Sequence, residues 1–535
     1  MIIKDNSGVL WIGTTNGISK YNPDKNKFKH FEPQPNNPNW LRDPFVFSLC
    51  VDKNGEYWAG INVGNGIYVY NPTKKTFRNI SANPGDRNAL QGNSVFSIIN
   101  DSKQNLWVGT NNGLSKYNYE TKSFKTYQNI PGDTNSLSNN VIRCIVEDKN
   151  NNLWIGTARG LNMFNQKTGK FKTWLSDKNN NLDNIQSLLF DKNGDLWIGT
   201  FLGGLRKMVF HEGSKATFVE YQADINDSTS LSNNQVSALL EDNQGNIWIA
   251  TYGGGINKFD PQTETFSLYT TKDGLPGNNF YGLVEDNNLN LWFSSSAGLT
   301  MYDSKNKTFT NYDINDGLQS NEFNGGAYHK DKNGLLYFGG VNGFNVFNPN
   351  DIQTNSIIPK ISFTDFKIQN KSVRPGKNSP LKKSIQTTDE IILSYAQRDL
   401  RFEFAALHFV SPSQNQYAYM MEGYDEDWIN LGSQNYISFK SFPHGEYVLH
   451  VKAANCDGIW NEEGISIKVI INPPFWATWW FRIIVMLVLV SFIWGFIKIR
   501  EKNLRNQNKK LEENVTERTV EIKNKNEELK QQNEE

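Results

Sequence analysis

Hydrophobic residues in positions 1–350 form short runs separated by turns rich in Asp, Asn and Gly. In the unit spanning 95–127, four such runs follow one another: Val95 to Ile99, Leu106 to Thr110, Leu114 to Tyr117 and Phe124 to Tyr127. Runs of alternating or continuous apolar character between turn residues are typical of β-strands. The pattern therefore predicts units of four short antiparallel strands.

The second run of each unit carries a repeated motif, which is clearest at Asn152 to Thr157 as Asn-Leu-Trp-Ile-Gly-Thr. Its aromatic residue recurs at positions 11, 58, 107, 154, 197, 248, 292 and 337, in steps of 43 to 51 residues. A period of this length with four strands per unit is typical of propeller blades. One blade leaves both of its faces uncovered, so the blades are expected to stack into a ring.

The two ends of the repeat determine the predicted number of blades. The eighth copy, from Asn321 to Phe347, ends after its third strand, whereas the first copy supplies a spare fourth strand, Phe28 to Phe31. If these strands pair, residues 26–350 form a seven-bladed β-propeller, and residues 1–25 are the tail of an upstream propeller. An eight-bladed ring is the alternative.

The predicted strand order places the connecting loops on two rims of the ring. On one rim the turn after the first strand is nearly constant, as in Asp52 to Gly55 and Asp191 to Gly194. Asp and Gly at these positions are ordinary turn chemistry, and the Asp-x-Asp-x-Asp-Gly spacing of a calcium loop is absent from the column. We therefore predict no metal site and no cofactor.

The other rim varies from blade to blade, and it carries the candidate ligand-binding residues. These are Trp40 and Arg87 in the loops that link blades, and Arg159, Phe201 and Tyr252 in the turns between second and third strands. Aromatic and Arg side chains in such places can stack on and hydrogen-bond a sugar or another polar ligand. Ordinary sequence drift in surface loops is the alternative explanation.

After the repeat, residues 357–472 contain seven short strand-like runs, among them Ile361 to Ile368 and Tyr447 to Ala453. This density of short strands predicts a β-sandwich of immunoglobulin type. The three cysteines of the chain form no readable disulfide framework, so the sandwich lacks the cysteine pair of an antibody domain. Its aromatic residues, such as Trp428 and Trp460, are expected to be core and corner residues.

The segment 476–497 is predicted to cross a membrane. As a helix its 22 residues would span roughly 33 Å, and a bilayer core is about 30 Å thick. Lys498, Arg500 and Lys502 follow it at once, so the positive-inside rule places residues 498–535 in the cytoplasm. Residues 1–475 then lie in the periplasm of a single-pass inner-membrane protein; a buried helix of a soluble protein is the alternative.

Residues 498–535 show apolar and polar positions alternating by four and three, at Leu504, Asn508, Leu511, Val515, Arg518, Ile522, Lys525 and Leu529. This spacing predicts a modest coiled coil, and with it a homodimer. A solvated single helix is the alternative. The fold class expected for the whole chain is therefore all-β, a seven-bladed propeller and an immunoglobulin-like sandwich, followed by one transmembrane helix and a coiled-coil helix.

Composition and missing motifs limit the possible functions. Of the 535 residues, 55 are Lys or Arg and 55 are Asp or Glu, so no net field attracts nucleic acid. Gly-x-Ser-x-Gly, His-Glu-x-x-His, P-loop and Cys-x-x-Cys motifs are all absent from the sequence. The start, Met1 to Asp5, is not a signal peptide. Since a periplasmic domain needs an export signal, we expect sequence to be missing before Met1.

The Leu-Trp-Ile-Gly-Thr-x-x-Gly-Leu copies resemble two-component regulator propeller repeats. Residues 357–472 resemble the tyrosine-rich sandwich that follows them, through Phe402 to Leu407, Tyr417 to Tyr419, Glu422 to Tyr424, Gly445 to Tyr447 and Asp457 to Trp460. In this order the chain is similar to the sensor portion of hybrid two-component histidine kinases, truncated at both ends. The resemblance implies a periplasmic sensor, with an oligosaccharide as ligand and a homodimer formed through sandwich and coiled coil.

The resemblance stops short of a kinase. The family's phosphoacceptor histidine follows the coiled coil, but the last histidine here is His450, and no nucleotide-binding Gly-rich segment is present. We therefore predict that this chain is not an enzyme and that its full-length parent is a histidine kinase. The alternatives are the same sensor coupled to a non-kinase output, a membrane-tethered propeller enzyme, and an adhesion or scaffold protein.

Overall fold

The computed structural model describes residues 1–22, 27–62, 64–175, 184–211, 215–352 and 355–532. The chain divides into two compact units, Met1–Ser356 and Ile357–Glu535. In the first unit the described residues form seven four-stranded antiparallel sheets and one three-stranded sheet. This arrangement is the seven-bladed propeller predicted from the repeat.

The strands of the first unit follow the repeat closely. The three-stranded sheet contains β1 Ile2–Lys4, β2 Leu10–Thr14 and β3 Gly17–Tyr21, and β4 Lys29–Phe31 follows it. Blade 1 contains β5 Val46–Val51, β6 Tyr57–Ile61, β7 Ile67–Asn71 and β8 Thr76–Ile80. Blade 2 contains β9 Val95–Asn100, β10 Leu106–Thr110, β11 Gly113–Asn118 and β12 Ser123–Tyr127. Blade 3 contains β13 Ile142–Glu147, β14 Asn152–Thr157, β15 Gly160–Asn165 and β16 Lys170–Leu175.

The remaining blades repeat the same order. Blade 4 contains β17 Ile185–Phe190, β18 Leu196–Thr200, β19 Leu205–His211 and β20 Lys215–Tyr221. Blade 5 contains β21 Val236–Glu241, β22 Ile247–Thr251, β23 Ile256–Asp260 and β24 Thr265–Tyr269. Blade 6 contains β25 Phe280–Glu285, β26 Leu291–Ser295, β27 Gly298–Asp303 and β28 Thr308–Tyr312. Blade 7 contains β29 Phe323–Lys330, β30 Leu336–Gly340 and β31 Gly343–Phe347, and it takes β4 as its fourth strand.

The ring is closed by strands from its two ends. β4 pairs antiparallel with β31, and Phe31 lies opposite Phe344. Between the first strands of blades 7 and 1, the Asn324 side chain donates a hydrogen bond to the Val46 carbonyl at 2.9 Å. The closure confirms seven blades and excludes the eight-bladed alternative. The assignment of residues 1–25 to an upstream propeller stays a prediction.

The repeated Trp and Asp positions form one hydrogen-bonded unit in each hairpin. In blade 3 the Trp154 indole N–H donates to Asp148 Oδ2 at 3.0 Å, and the backbone N–H of Asn152 donates to Asp148 Oδ1 at 2.9 Å. The same Trp-to-Asp bond recurs in blades 1 to 6, while in blade 7 the Tyr337 hydroxyl takes the place of the indole. The Asp column therefore accepts hydrogen bonds within the hairpin, as the turn interpretation requires.

The motif glycine marks the contact between neighbouring blades. A Cβ atom on Gly156 would lie 2.5 Å from Cys144 Sγ and 2.6 Å from Cγ2 of Ile185, which belongs to blade 4. Equivalent glycines at 60, 109 and 199 face Val95, Ile142 and Val236 in the same way. This crowding explains why the first-strand column at Cys144 holds small residues, and burial raises the pKa of the Cys144 thiol to about 12.

Replacing Gly156 by alanine is expected to destabilise the propeller by about 1–3 kcal/mol, because the added methyl group overfills a close-packed joint between blades. Chemical denaturation of the two proteins measures the difference. Gly277→Ala is the matched control, since a Cβ there would meet only the Ala297 Cβ at 3.5 Å, an ordinary contact. Equal stability of the two variants would mean that the joint is not close-packed.

The second unit begins with a two-layered sandwich, as predicted. Its strands are β32 Ile361–Ile368, β33 Lys371–Ser372, β34 Glu390–Leu393, β35 Leu400–Ala406, β36 Gln416–Glu422, β37 Ile429–Gly432, β38 Tyr436–Phe439, β39 Gly445–Ala454 and β40 Trp460–Ile471. One sheet has the order β33-β32-β35-β38 and the other the order β34-β40-β39-β36-β37, in which β34 and β40 run parallel. Their inner faces share one core that includes Phe366, Phe402 and Leu449.

A single helix, α1 Trp479–Gln532, follows the sandwich and is 54 residues long. It begins three residues after the predicted start at Trp476, because Phe475–Ala477 form a 3₁₀ turn first. The predicted transmembrane and coiled-coil segments are therefore one continuous helix. Its apolar part is long enough to cross a membrane by length and composition. The pairing of the helix in a coiled coil stays a prediction.

Candidate functional site

Every blade has a bulge near the start of its first strand, on the rim that carries the turns between second and third strands. In blade 3, Ile142 pairs with Thr157 and Cys144 with Gly156, so Arg143 is left between them without a partner in the ladder. The equivalent bulged positions are Phe47, Phe96, Gln186, Ser237, Tyr281 and, in blade 7, the longer segment 324–327. Bulges redirect side chains and are frequent beside functional sites.

Contacts between blades place these residues around the channel axis. The Arg143 guanidinium lies 4.5 Å from the ring centre of Phe96 in the neighbouring blade. A Cβ on Gly325 of blade 7 would lie 3.9 Å from the Tyr252 hydroxyl of blade 5. A Cβ on Gly326 would lie 3.2 Å from the Phe96 carbonyl of blade 2. Blades that are not neighbours can meet only near the axis, so these residues surround the end of the central channel.

We call this group the channel mouth, defined by Phe96, Arg143, Tyr252, Tyr281 and Glu322. The rings of Tyr252 and Tyr281 are 5.2 Å apart and inclined by 55°. Glu322, which is exposed, immediately precedes β29 and acts electrostatically on both tyrosines. The mouth therefore combines aromatic faces, hydroxyl groups, one cation and one carboxylate.

Burial changes the proton affinity of the polar groups at the mouth. It lowers the pKa of Arg143 below the ordinary arginine value, because a desolvated cation is less stable. Burial also raises the pKa of Tyr252 and of Tyr281, and the Glu322 charge acts in the same direction. Both phenols therefore stay protonated near neutral pH.

Of the five residues predicted to bind ligand, Tyr252 lies at the channel mouth. Phe201 is at the equivalent turn of blade 4; its ring is 40% exposed and its backbone N–H donates to the Asn184 carbonyl at 2.9 Å. Arg159 is exposed in the turn of blade 3. It lines an open polar cleft of about 940 Å³ together with Lys172 and the loop 129–139.

Trp40 and Arg87 lie in loops that run along the fourth strand of the next blade. The Trp40 indole N–H donates to the Glu32 carbonyl at 2.8 Å, and its ring packs edge-on against Phe77 at 5.2 Å. These contacts hold the loop against the outer strand of blade 1. Arg87 is exposed in the corresponding loop of blade 2. A ligand-binding role for these five residues stays a prediction.

Sequence reasoning did not single out Arg143, Tyr281 or Glu322. For the first two a signal was present, since they directly precede the column of small residues in the first strand. The residues at that position are Phe47, Phe96, Arg143, Gln186, Ser237 and Tyr281. This position varies strongly from blade to blade, although the next position always holds a small residue, and such variation indicates that the position has a different role in each blade. The sequence does not show that these side chains point toward the axis, because their direction depends on the bulge.

Comparison with protein families agrees with this architecture. The model of the two component regulator propeller matches residues 89–112, 136–159, 179–201 and 230–253. The model of the Y_Y_Y domain matches residues 408–472, within the sandwich. Segments of the chain thus match the two component regulator propeller and the Y_Y_Y domain. The matched propeller segments end in the variable turn after the second strand of a blade.

Two proteins to which the chain is similar are described as a histidine kinase and as part of a hybrid two component system. The chain is 29% identical to "Histidine kinase P4" of Formosa agariphila over 51% of this chain, and it spans about a quarter of that protein, 24%. The solved extracellular domain of a protein described as a hybrid two component system of B. thetaiotaomicron is 28% identical, with a TM-score of 0.67. That match covers 88% of this chain and 61% of the other.

These similarities support a sensor role for the chain. Together with the long apolar helix, they support a single-pass membrane protein with an extracellular domain. Within the described residues no group of three or more His, Cys, Asp or Glu side chains is placed to hold a metal ion. The candidate site consists of aromatic, hydroxyl and charged side chains.

Proposed function

We propose that this chain is the extracytoplasmic sensor and membrane-spanning transducer of a two-component histidine kinase, and that its ligand is an oligosaccharide. The observation that carries the proposal is the channel mouth, where seven bulged strands bring unlike side chains to one axis. Specificity in a ring of similar blades has to come from positions at which the blades differ. The mouth concentrates such positions in one place.

The chemistry of the mouth suits a sugar. Tyr252 is 36% exposed and offers a ring face on which a pyranose can lie, and its hydroxyl can donate a hydrogen bond to a ring or hydroxyl oxygen. Arg143 and Glu322 add a donor and an acceptor of opposite charge. Sites for small polar ligands are typically concave and largely apolar, with few convergent polar groups. The mouth provides this combination on a rigid ring.

The signal would leave through α1, which continues without a break from the apolar segment to Gln532. We propose a homodimer through the sandwich and the helix seam, in the inner membrane, with residues 1–475 in the periplasm and 498–535 in the cytoplasm. Ligand binding would shift the paired helices between two arrangements, with a coupling free energy of about 1–3 kcal/mol. The kinase itself would be supplied by sequence beyond Glu535.

Calorimetric titration of the full chain in lipid nanodiscs with a panel of glycan oligosaccharides tests the ligand. At least one member is expected to bind, and Tyr252→Ala is expected to weaken that binding about tenfold or more, since buried aromatic contacts dominate small sites. Tyr21→Ala is the matched control, because Tyr21 is 50% exposed in the three-stranded sheet outside the ring. Its affinity should equal that of the unaltered protein.

Absence of binding across the whole panel would refute the oligosaccharide sensor. Binding that Tyr252→Ala leaves unchanged would move the site away from the channel mouth. The kinase part has a separate test, which is the sequence of the gene beyond Glu535. A following helix with a phosphoacceptor histidine and an ATP-binding domain is expected, and any other output domain would overturn the kinase assignment.

A further inference from the structure

Arg143 differs from two other arginines, Arg78 and Arg401, in forming no ion pair among the described residues. Arg78 pairs with Glu56 at 2.8 Å, and Arg401 pairs with Glu403 at 2.9 Å. For Arg143, by contrast, no ion pair is formed within the part of the chain that the structure describes, and its buried Nε forms no hydrogen bond there. Its guanidinium packs against the ring of Phe96.

We propose that the ligand at the channel mouth carries an acidic group, a carboxylate or a sulfate, which binds the guanidinium of Arg143. This inference rests on the proposed function, because it names the class of oligosaccharide that the same site would take. It goes further in requiring an anion. A neutral oligosaccharide with the same backbone would leave the cation without a partner.

The cost of desolvating a cation supports this requirement. A buried charge is stable in a protein when it is paired and hydrogen-bonded. Arg143 meets this condition only in part, since a ring face attracts the guanidinium but accepts none of its N–H groups in the plane. Burial lowers the pKa of Arg143, which is the sign of incomplete compensation. A carboxylate or sulfate would accept two parallel N–H bonds from the guanidinium plane.

Two glycines adjoin the residues of the mouth. Gly325 lies beside the Tyr252 hydroxyl and Gly326 beside the Phe96 carbonyl. The φ angle of Gly326 is +80°, and a Cβ there would lie 3.1 Å from the Phe47 carbonyl, so a larger residue would be strained and crowded. Glycine at these two positions adds no side chain beside Tyr252 and Phe96 of the mouth.

The negative charge of the mouth lies elsewhere. Glu322 acts electrostatically on Tyr252 and Tyr281, whereas the groups that act on Arg143 are Cys144 and Tyr252, both of which are uncharged near neutral pH. The site therefore has a positive side at Arg143 and a negative side at Glu322. An acidic sugar would place its anion on the positive side and direct its hydroxyl groups to the carboxylate.

The test compares acidic oligosaccharides with neutral counterparts of the same backbone, by calorimetry on the full chain in nanodiscs. One pair is a uronic acid tetrasaccharide and its methyl ester, and a second pair is a sulfated tetrasaccharide and its desulfated form. In at least one pair the acidic member is expected to bind about 10- to 100-fold more tightly, as for a charge-assisted hydrogen-bonded pair. The pair that shows the difference identifies carboxylate or sulfate.

Arg143→Gln is expected to abolish this preference, so that the acidic and the neutral member of a pair bind with similar affinities. Glutamine suits the position, because Gln186 occupies the equivalent bulge of blade 4. Arg143→Lys keeps the charge without the planar fork, so part of the preference should return. Arg374→Gln removes one exposed charge from the sandwich and is the control for net charge; it should keep the full preference.

Two results would overturn the inference while leaving the proposed function intact. One is equal binding of acidic and neutral members, with both lost in Tyr252→Ala. The other is an acidic preference that survives in Arg143→Gln. If no oligosaccharide of either kind binds, the proposed function and this inference both fail. Far-ultraviolet circular dichroism and the melting temperature of each variant establish that it is folded.

Discussion

Replacing Phe31 by alanine is expected to lower the free energy of unfolding of the propeller by about 3–5 kcal/mol, the usual cost of removing a fully buried phenylalanine. Phe31 is 1% exposed, and its ring stacks on Phe344 at 4.6 Å, with an interplanar angle of 7°. It also meets Tyr70 of blade 1 edge-on at 4.8 Å. One side chain thus joins the closing strand to blades 7 and 1.

Chemical denaturation followed by tryptophan fluorescence measures this loss, because most motif tryptophans lie in the ring. Phe45→Ala is the matched control, since Phe45 is 49% exposed in the link that leads to β5. Its expected effect is within about 0.5 kcal/mol, as for surface substitutions generally. If the two variants lose equal stability, the pairing of β4 with β31 is not what holds the ring closed.

Replacing Asp101 by alanine is expected to lower the free energy of unfolding of the propeller by about 3–5 kcal/mol, because it breaks a buried hydrogen-bond network. The carboxylate accepts the Trp107 indole N–H at 3.0 Å and the Asn105 backbone N–H at 2.8 Å. It also accepts the Asn105 side-chain amide at 2.8 Å and the Lys103 backbone N–H at 3.0 Å. Without it, a buried indole N–H loses its acceptor, and an unsatisfied buried group costs about 1–3 kcal/mol by itself.

The pH dependence of stability separates this effect from simple loss of packing. Burial opposes ionisation of Asp101, but the hydrogen bonds from Trp107 and Asn105 hold its pKa below the ordinary value of 3.8. A lowered folded-state pKa contributes stability that is complete above the unfolded pKa and is lost as the pH falls through the folded one. The Asp101→Ala variant lacks this carboxyl group. As the pH falls from about 5 to about 2, through the ordinary aspartate pKa of about 3.9, it should therefore lose less stability than the unaltered protein.

Lys103→Ala is the control, because Lys103 is exposed in the same turn and only its backbone contacts the carboxylate. It should keep both the stability and the acid profile of the unaltered protein. An unchanged acid profile in Asp101→Ala would show that the carboxylate of this turn is not the group that titrates. A small loss of stability at neutral pH would show that water replaces the missing acceptor.

Much of the fold was predictable because its units are local. Asp148 and Trp154 are six residues apart and bond within one hairpin, so their spacing alone indicates the turn and the second strand. The closing strand was also predictable, because an unpaired fourth strand and a blade of three strands are complementary. In the sandwich, Ile361–Ile368 and Tyr436–Phe439 have the observed bounds, since alternation of buried and exposed residues is visible in sequence.

The candidate site was less predictable. Trp40 has the residue type expected at a binding site, but its ring packs against Phe77. Arg143 lies in the middle of a strand-like run, where a side chain would ordinarily point into the contact with the next blade. The bulge changes its direction. A bulge is a property of the register between two strands, and several registers satisfy the same alternation of residues.

Local sequence features were enough to predict the repeat, the propeller, the sandwich and the apolar helix, and the pairing of β4 with β31 then settled the number of blades at seven. The local features were enough because hydrophobic period, turn residues and the Asp–Trp spacing act over a few neighbouring residues. The tertiary structure alone decided which side chains share the channel axis. Arg143, Tyr252 and Gly325 belong to blades 3, 5 and 7, and they approach one another only because the ring closes and its first strands bulge toward the centre.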